Sequence, residues 1–411
     1  MKVDRMRWID YWVGQPLAAL LVGAHRLWCF FRPERAVTPD KIRRVLFIEL
    51  SEMGSAILAD PAMRRARELY PQAELYFLIF HRNRASLDLL KTIDADHVLT
   101  IRVTSFATLT LDTLGVLFRL QRLGIDLVVD LELFSRFSSL LSLLSGAPLR
   151  IGFHRFYTEG LYRGHHLTHP VLYNPHQHIA KNFLALVHAG VEPPDELPHT
   201  KRIFRDDEIR LVPYAAAPAA VSALRGRLVG AFPVLDRVRR WVILHPNASE
   251  LMPLRKWPLD HFAALAKRLL ADPTLAVLIT GAPEERADAA AIRAAAADGR
   301  LVDLTGFTKL EDLPLLYTLA TAMVTNDSGP AHFSAPTGLK TFVLFGPETP
   351  RLYGAINDNA EFIYKGLSCS PCVSAANHRR SPCRDNQCMK QIGVDEVYDR
   401  LRGFLEANPG A

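Results

Sequence analysis

The residues best placed to do chemistry lie between Met323 and Pro350, in the stretch MVTNDSGPAHFSAPTGLKTFVLFGPETP. The pattern predicts a short buried strand over Ala322–Thr325, a polar turn, a short helix, and a second apolar strand over Thr341–Phe345. Asn326 or Asp327 is placed to cap the helix, Pro330 suits its first turn, and Gly329 lets the backbone approach a ligand. A helix that opens at the carboxyl end of a parallel strand presents unpaired N–H groups and a positive dipole end, which suits an anion. The second strand runs into Gly346-Pro347-Glu348-Thr349-Pro350, a turn on the same sheet edge, so two loops would face one ligand. An ordinary strand–turn–helix connection would use the same turn chemistry.

Two further groups could bind something. Four of the five cysteines cluster as Cys369-x2-Cys372-x10-Cys383-x4-Cys388. That grouping is compatible with a structural zinc site, with free thiols, or with disulfides, the last disfavoured in a cytosolic setting. Cys29 stands apart. Six histidines (His154, His165, His166, His169, His176 and His178) crowd one stretch without a metal-ligand spacing, and reading them as surface-loop residues is the plain alternative to a binding face.

Positioning these groups takes a large scaffold. With 411 residues, 49% hydrophobic and 22% charged, the chain can bury two cores rather than one. A net charge of +6 and a pI near 9.1 suit an acidic partner: a nucleoside diphosphate, an anionic glycolipid or a membrane surface. The basic residues are scattered and no nucleic-acid-binding motif is present, which argues against nucleic acid. Strands near Arg43–Leu50, Glu74–Phe80, Val98–Val103, Asp126–Glu132 and Arg150–Phe153 alternate with helices over Ala56–Tyr70, Phe106–Leu123 and Ser138–Ser145. That alternation predicts a doubly wound parallel sheet in residues 41–200, and a second in 241–393. Residues 201–240 read as the linker and hinge, and 394–411 as a last helix packing back across the domain junction. Residues 1–40 mix Trp8, Tyr11, Trp12, Trp28, Phe30 and Phe31 with Arg5, Arg7, Arg26, Arg32 and Arg35. Their apolar run, Pro16 to Ala24, is shorter than the about 20 residues a membrane span needs. A segment lying in the membrane interface is expected, with a helix packed on the protein's own surface as the alternative. No secretory signal is evident, so the body is expected in the cytosol.

DSGPAHFSAPTGLKTFVLFGPETP resembles the signature of glycosyltransferase family 9, the ADP-heptose:lipopolysaccharide heptosyltransferases. RRVLFIELSEMGSAILADPAMRRARELYPQAELYFLI, DLVVDLELFSRFSSLLSLLSGAPLRIGF, WVILHPNASELMPLRKWP and LITGAPEE agree in order, so the resemblance runs from Ile42 to Leu405. It implies a GT-B architecture, two Rossmann-like domains facing across a cleft. It also implies an inverting transfer of heptose or a related sugar from a nucleoside diphosphate donor, ADP-heptose foremost, to a lipopolysaccharide core or similar lipid-linked acceptor. The enzyme would sit peripherally on the cytoplasmic face of the inner membrane. On this resemblance Asp327, Ser328, Gly329, Pro330 and His332 hold the donor's phosphates, although His332 could equally pack locally on its helix. Arg255 occupies the family's basic position near the leaving diphosphate and Lys256 is its neighbour. No metal is implied for catalysis. Glu285 matches a ribose-binding position, and a helix-capping role fits it as well. The acceptor loop departs from the family. Ser51, Gly54 and Ser55 belong to Ser-Glu-Met-Gly-Ser, where relatives carry Ser-x-x-Gly-Asp and use the Asp as general base. A serine is a poor base near neutral pH, so Glu52 is the expected replacement, with Asp60 or loss of catalysis as alternatives. The histidine-rich stretch, with Arg136, Arg155 and Arg163, would then meet a phosphorylated or Kdo-bearing acceptor. A non-catalytic relative that scaffolds envelope assembly is the competing function.

Overall fold

The computed structural model describes residues 8–31, 37–133, 135–154, 163–248, 252–374 and 379–409. The chain divides into two compact units, the break falling between Arg210 and Leu211. The first unit contains β1 (Arg44–Ile48), β2 (Glu74–Phe80), β3 (Val98–Ile101), β4 (Leu127–Asp130), β5 (Leu149–His154) and β6 (His169–Leu172). All are parallel, side by side in the order β3-β2-β1-β4-β5-β6. The second unit contains β7 (Arg240–His245), β8 (Leu275–Ile279), β9 (Leu301–Asp303), β10 (Ala322–Asn326), β11 (Lys340–Phe345) and β12 (Ala360–Tyr364). Its parallel order is β12-β11-β10-β7-β8-β9. Counted from its own first strand, each sheet has the doubly wound order 3-2-1-4-5-6. The strand order reverses between β1 and β4 and again between β7 and β10. Chains leaving such a strand pair diverge to opposite faces and open a crevice at the carboxyl ends.

Burial on both faces explains why the central strands are legible: β4 and β10 are buried at every position. The strands that composition did not reveal, β6 and β12, both lie at sheet edges. β6 carries Pro170, and β12 is only half-buried along most of its length. The helix expected over Ala56–Tyr70 is two, Met53–Leu58 and Asp60–Leu69, because Pro61 has no N–H to continue the first. The last helix, Val394–Ala407, buries Val397, Leu401 and Leu405 in the second unit's core, where Arg240 donates to the Leu405 carbonyl at 2.8 Å. It is a core helix of that unit.

Near the start, a helix over Gln15–Phe31 buries Ala18 and Val22. Trp12, Leu20, Leu27, Trp28, Phe30 and Phe31 stay 59–80% exposed. Among the described residues no helix is long and apolar enough to cross a membrane. Arg5, Arg7, Arg32 and Arg35 of this segment lie outside the described residues. Asp10 ties the segment down: its carboxylate accepts the N–H groups of Arg136 (2.9 Å) and Phe137 (3.0 Å) and pairs with the Arg136 guanidinium at 3.2 Å. It thereby caps the helix Arg136–Leu144 from outside.

Candidate functional site

The crevice of the second unit gathers the residues singled out by their chemistry. Asn326, the last residue of β10, clamps its floor. Its Oδ1 accepts the Trp257 N–H at 3.0 Å, and its Nδ2 donates to the Pro246 carbonyl at 2.8 Å. The loops after β7 and β10 are thus joined through one buried amide. Trp257 is itself locked, its indole N–H donating to the Ile392 carbonyl at 2.9 Å.

Neither Asn326 nor Asp327 caps the following helix. That helix, Gly329–Ser334, has Ser328 at its N-cap without a side-chain cap bond, and Pro330 stands in its first turn. The Ser328 hydroxyl instead donates to the Asn326 carbonyl at 3.1 Å. Asp327 faces Arg255, its Oδ2 lying 3.3 Å from the guanidinium Nε, while Nη2 of Arg255 reaches Glu348 Oε1 at 3.1 Å. The Arg255 side chain is 14% exposed and the carboxylates 5% and 1%. A buried guanidinium left unpaired is far costlier than an uncapped helix end, which is why Asp327 turns inward. Burial raises both carboxyls against the opposing pull of Arg255, and Glu348 is pushed up to about 7. His332 is buried on the same helix.

Arg255 and Lys256 therefore play different parts. Arg255 lies buried between two carboxyl groups, Asp327 and Glu348. Lys256 is 36% exposed, with Nζ 3.0 Å from Asn247 Oδ1 and 3.1 Å from Asp288 Oδ2. At the end of β7, His245 contacts the Thr280 hydroxyl at 3.0 Å, and burial pushes its ring down to about 4, so it is neutral at physiological pH. Glu285 closes its own turn: Oε2 accepts the Ala282 N–H at 2.7 Å, and burial raises its carboxyl. The capping role is the one seen. Sequence reasoning missed Asn247, Asp288 and the pairing of Glu348, since only the fold brings them to Arg255 and Lys256.

The cysteine segment packs on the turn after β11. The N–H groups of Cys372 and Val373 donate to the Pro347 carbonyl at 3.1 and 3.2 Å, and the Ser370 hydroxyl bonds the Gly346 carbonyl. A Cβ on Gly346 would fall 2.4 Å from Met389 Sδ and 3.0 Å from Cys388 Sγ, so only glycine fits there. Ser381 donates to Cys372 Sγ at 3.1 Å, Cys383 Sγ lies 3.2 Å from the Asp385 carbonyl, and Cys369 is exposed. No disulfide joins the described cysteines. Among the described residues no three His, Cys, Asp or Glu side chains are grouped as a metal site requires. Of the four cysteines, Cys372 through its N–H and Cys388 through its sulfur pack on the Gly346–Glu348 turn.

In the first unit, the crevice between β1 and β4 holds Ser51 and Glu52. Glu132, just past β4, accepts the N–H groups of Leu50 (2.9 Å) and Ser51 (3.1 Å) and the Ser51 hydroxyl (2.6 Å). Glu132, also missed by sequence reasoning, fixes the loop. The helix begins at Met53, so Gly54 and Ser55 lie in its first turn rather than in a loop. Glu52 is half-buried at the N-cap position, and the Ser55 hydroxyl donates to its Oε2 at 3.4 Å. Asp60 is buried, bonded to Arg64 Nε at 2.9 Å and to the Thr92 hydroxyl, and so is a structural residue.

The histidine-rich stretch is not one surface face. His166 and His169 are buried, and His178 Nδ1 accepts the Ala180 N–H at 3.2 Å to cap the next helix. Arg136 is buried against Asp10, and Arg163 is buried against Asp130, so neither is a surface cation. Arg155 lies outside the described residues.

Two parallel doubly wound sheets, each with polar groups at its reversal point, define an α/β protein of two Rossmann-like units. The sequence model of glycosyltransferase family 9 (heptosyltransferase) matches residues 119–381, and the chain belongs to that family. It is 24% identical over 175 residues to lipooligosaccharide heptosyltransferase 2 of Campylobacter jejuni, covering 42% of this chain and 53% of that protein. Lipopolysaccharide heptosyltransferase 2 of Escherichia coli is 30% identical over 117 residues, 28% of this chain and 34% of the relative. The chain thus spans about half, or less, of the length of these curated relatives. The solved structure of E. coli ADP-heptose LPS heptosyltransferase II superposes with a TM-score of 0.68 at 20% identity, covering 89% of this chain and 99% of that one. E. coli heptosyltransferase WaaC with ADP gives 0.59 at 17% identity, covering 88% and 99%. These likenesses establish the fold.

Proposed function

We propose that the protein is an inverting glycosyltransferase that moves heptose, or a closely related sugar, from a nucleoside diphosphate donor to a lipopolysaccharide core or similar lipid-linked acceptor. The observation that carries this reading is the set of cations at the carboxyl edge of β7 and β10: Arg255 between Asp327 and Glu348, with Lys256 beside it. Family membership and the ADP bound to the E. coli relative favour ADP-heptose as donor. In the proposed reaction the second unit holds the donor and the first supplies the acceptor-side groups. The acceptor hydroxyl gives its proton to Glu52, and its oxygen forms the new bond to the anomeric carbon. The bond from that carbon to the diphosphate breaks at the same time, and the nucleoside diphosphate leaves with the electron pair. Lys256 and Arg255 stabilise the charge that develops on it, so the step asks for no metal ion. The exposed aromatic residues of the first helix would rest in the interface of the inner membrane, on its cytoplasmic face, beside a lipid acceptor.

Glu52→Gln tests the mechanism. Turnover of ADP-heptose should fall by about 10²–10⁴, the usual cost of removing a general base, with ADP affinity unchanged. Full turnover in this variant would refute the role of Glu52. One observation favours a second reading, a non-catalytic scaffold that keeps the donor crevice: Ser55 stands where relatives use a carboxylate. Donor binding by the wild type without transfer or donor hydrolysis would establish it.

A further inference from the structure

Arg379 reaches the donor crevice from the cysteine segment. Its backbone has φ of +54°, a left-handed conformation that favours glycine, held by its N–H donating to the Ser374 carbonyl at 3.0 Å. A long cationic side chain at such a position suggests that the side chain is used. Its Nε lies 3.6 Å from Glu348 Oε1, the same oxygen that takes Arg255 Nη2. Its guanidinium lies over the Tyr353 ring, 5.2 Å from the centroid, and the side chain is only 10% exposed. Among the described residues, the charged and titratable groups around Glu348 include Arg255 from the loop after β7, Asp327 from the turn after β10, Arg379, and Tyr353 from the helix Pro350–Tyr353.

From this arrangement we infer that Arg379 is a positioning residue for the donor diphosphate, acting through Glu348 on Arg255. The inference rests on the donor reading proposed above. Arg379 and Arg255 meet on one oxygen of Glu348, so that side chain is held between two cations. Without Arg379 one of the two is lost, beside the helix and turn that a diphosphate would approach. Arg379 also shares one carboxylate oxygen with Arg255, so it fixes the point from which Arg255 is aimed.

The test compares wild type, Arg379→Met and Arg379→Lys in the full chain. Calorimetry with ADP should show affinity reduced by about tenfold in Arg379→Met, the size expected for losing one buried ion-pair contact beside the ligand. Arg379→Lys, which restores the charge but not the fork, should recover part of it. Without any nucleotide, Arg379→Met should also speed amide exchange in both 346–350 and 252–258. A purely structural role would lower the unfolding temperature with ADP affinity unchanged, and that result overturns the inference. So does faster exchange confined to 369–388. If the wild type binds no ADP, the donor reading fails by itself, and exchange at 252–258 still decides whether Arg379 acts on Arg255.

Discussion

Glu348→Gln replaces a buried carboxyl by a neutral group of the same shape, and its effect on stability must grow with pH. The Glu348 carboxyl is pushed up to about 7 from its ordinary 4.5, burial being the main cause, with Asp327 adding to it and Arg255 opposing. Between those values the folded protein keeps the proton and the unfolded chain releases it. The stability contributed by the neutral carboxyl is thus complete below the unfolded value and lost as pH rises through the folded one. A displacement of that size is worth roughly 3 kcal/mol once pH exceeds the folded value. Glutamine cannot ionise, and its carbonyl can still accept from Arg255, 3.1 Å away in the wild type. Wild type and variant should therefore unfold at similar temperatures at pH 5. At pH 8 the variant should be the more stable by up to about 3 kcal/mol, or roughly 5–10 °C for a unit of this size. Scanning calorimetry at the two pH values, following the transition of the second unit, provides the measurement. An equal gap at both pH values would refute the reasoning, because Glu348 would then ionise in its ordinary range.

Gly346→Ala should destabilise the second unit by about 1–3 kcal/mol through overpacking against Met389 and Cys388, measured by denaturant unfolding. Asp60→Asn should cost about 1–3 kcal/mol, because it weakens the bonds to Arg64 and Thr92, while ADP affinity and turnover per folded molecule stay as in the wild type; a selective loss of turnover would restore Asp60 as a base. Replacing Trp12, Trp28 and Phe31 by serine should weaken sedimentation with anionic vesicles without altering the unfolding temperature, since these side chains are exposed and the Asp10 anchor is untouched. Unchanged sedimentation would count against an interfacial role.

What the sequence by itself determined is local. Runs such as Arg44–Ile48 and Ala322–Asn326 announce strands because a parallel sheet buries both faces, so nearly every position must be apolar. The helix Phe106–Leu123 matches its expected bounds because Ser105 and Thr108 form a capping box and Gly124 ends it in a left-handed turn. The same strings also placed the polar residues at strand ends, hence in crevices. Which of those residues meet was decided only by the tertiary structure. Asp327 reads as a cap because capping is a contact within a few residues, but its partner Arg255 lies 72 positions away and comes close only because β7 and β10 are neighbours. Glu132 and Ser51 are likewise joined by the pairing of β1 with β4. Arg136 and Arg163 look like surface cations in the sequence, yet Asp10 and Asp130 bury them, because a charge can leave water only where the fold brings it a counter-charge.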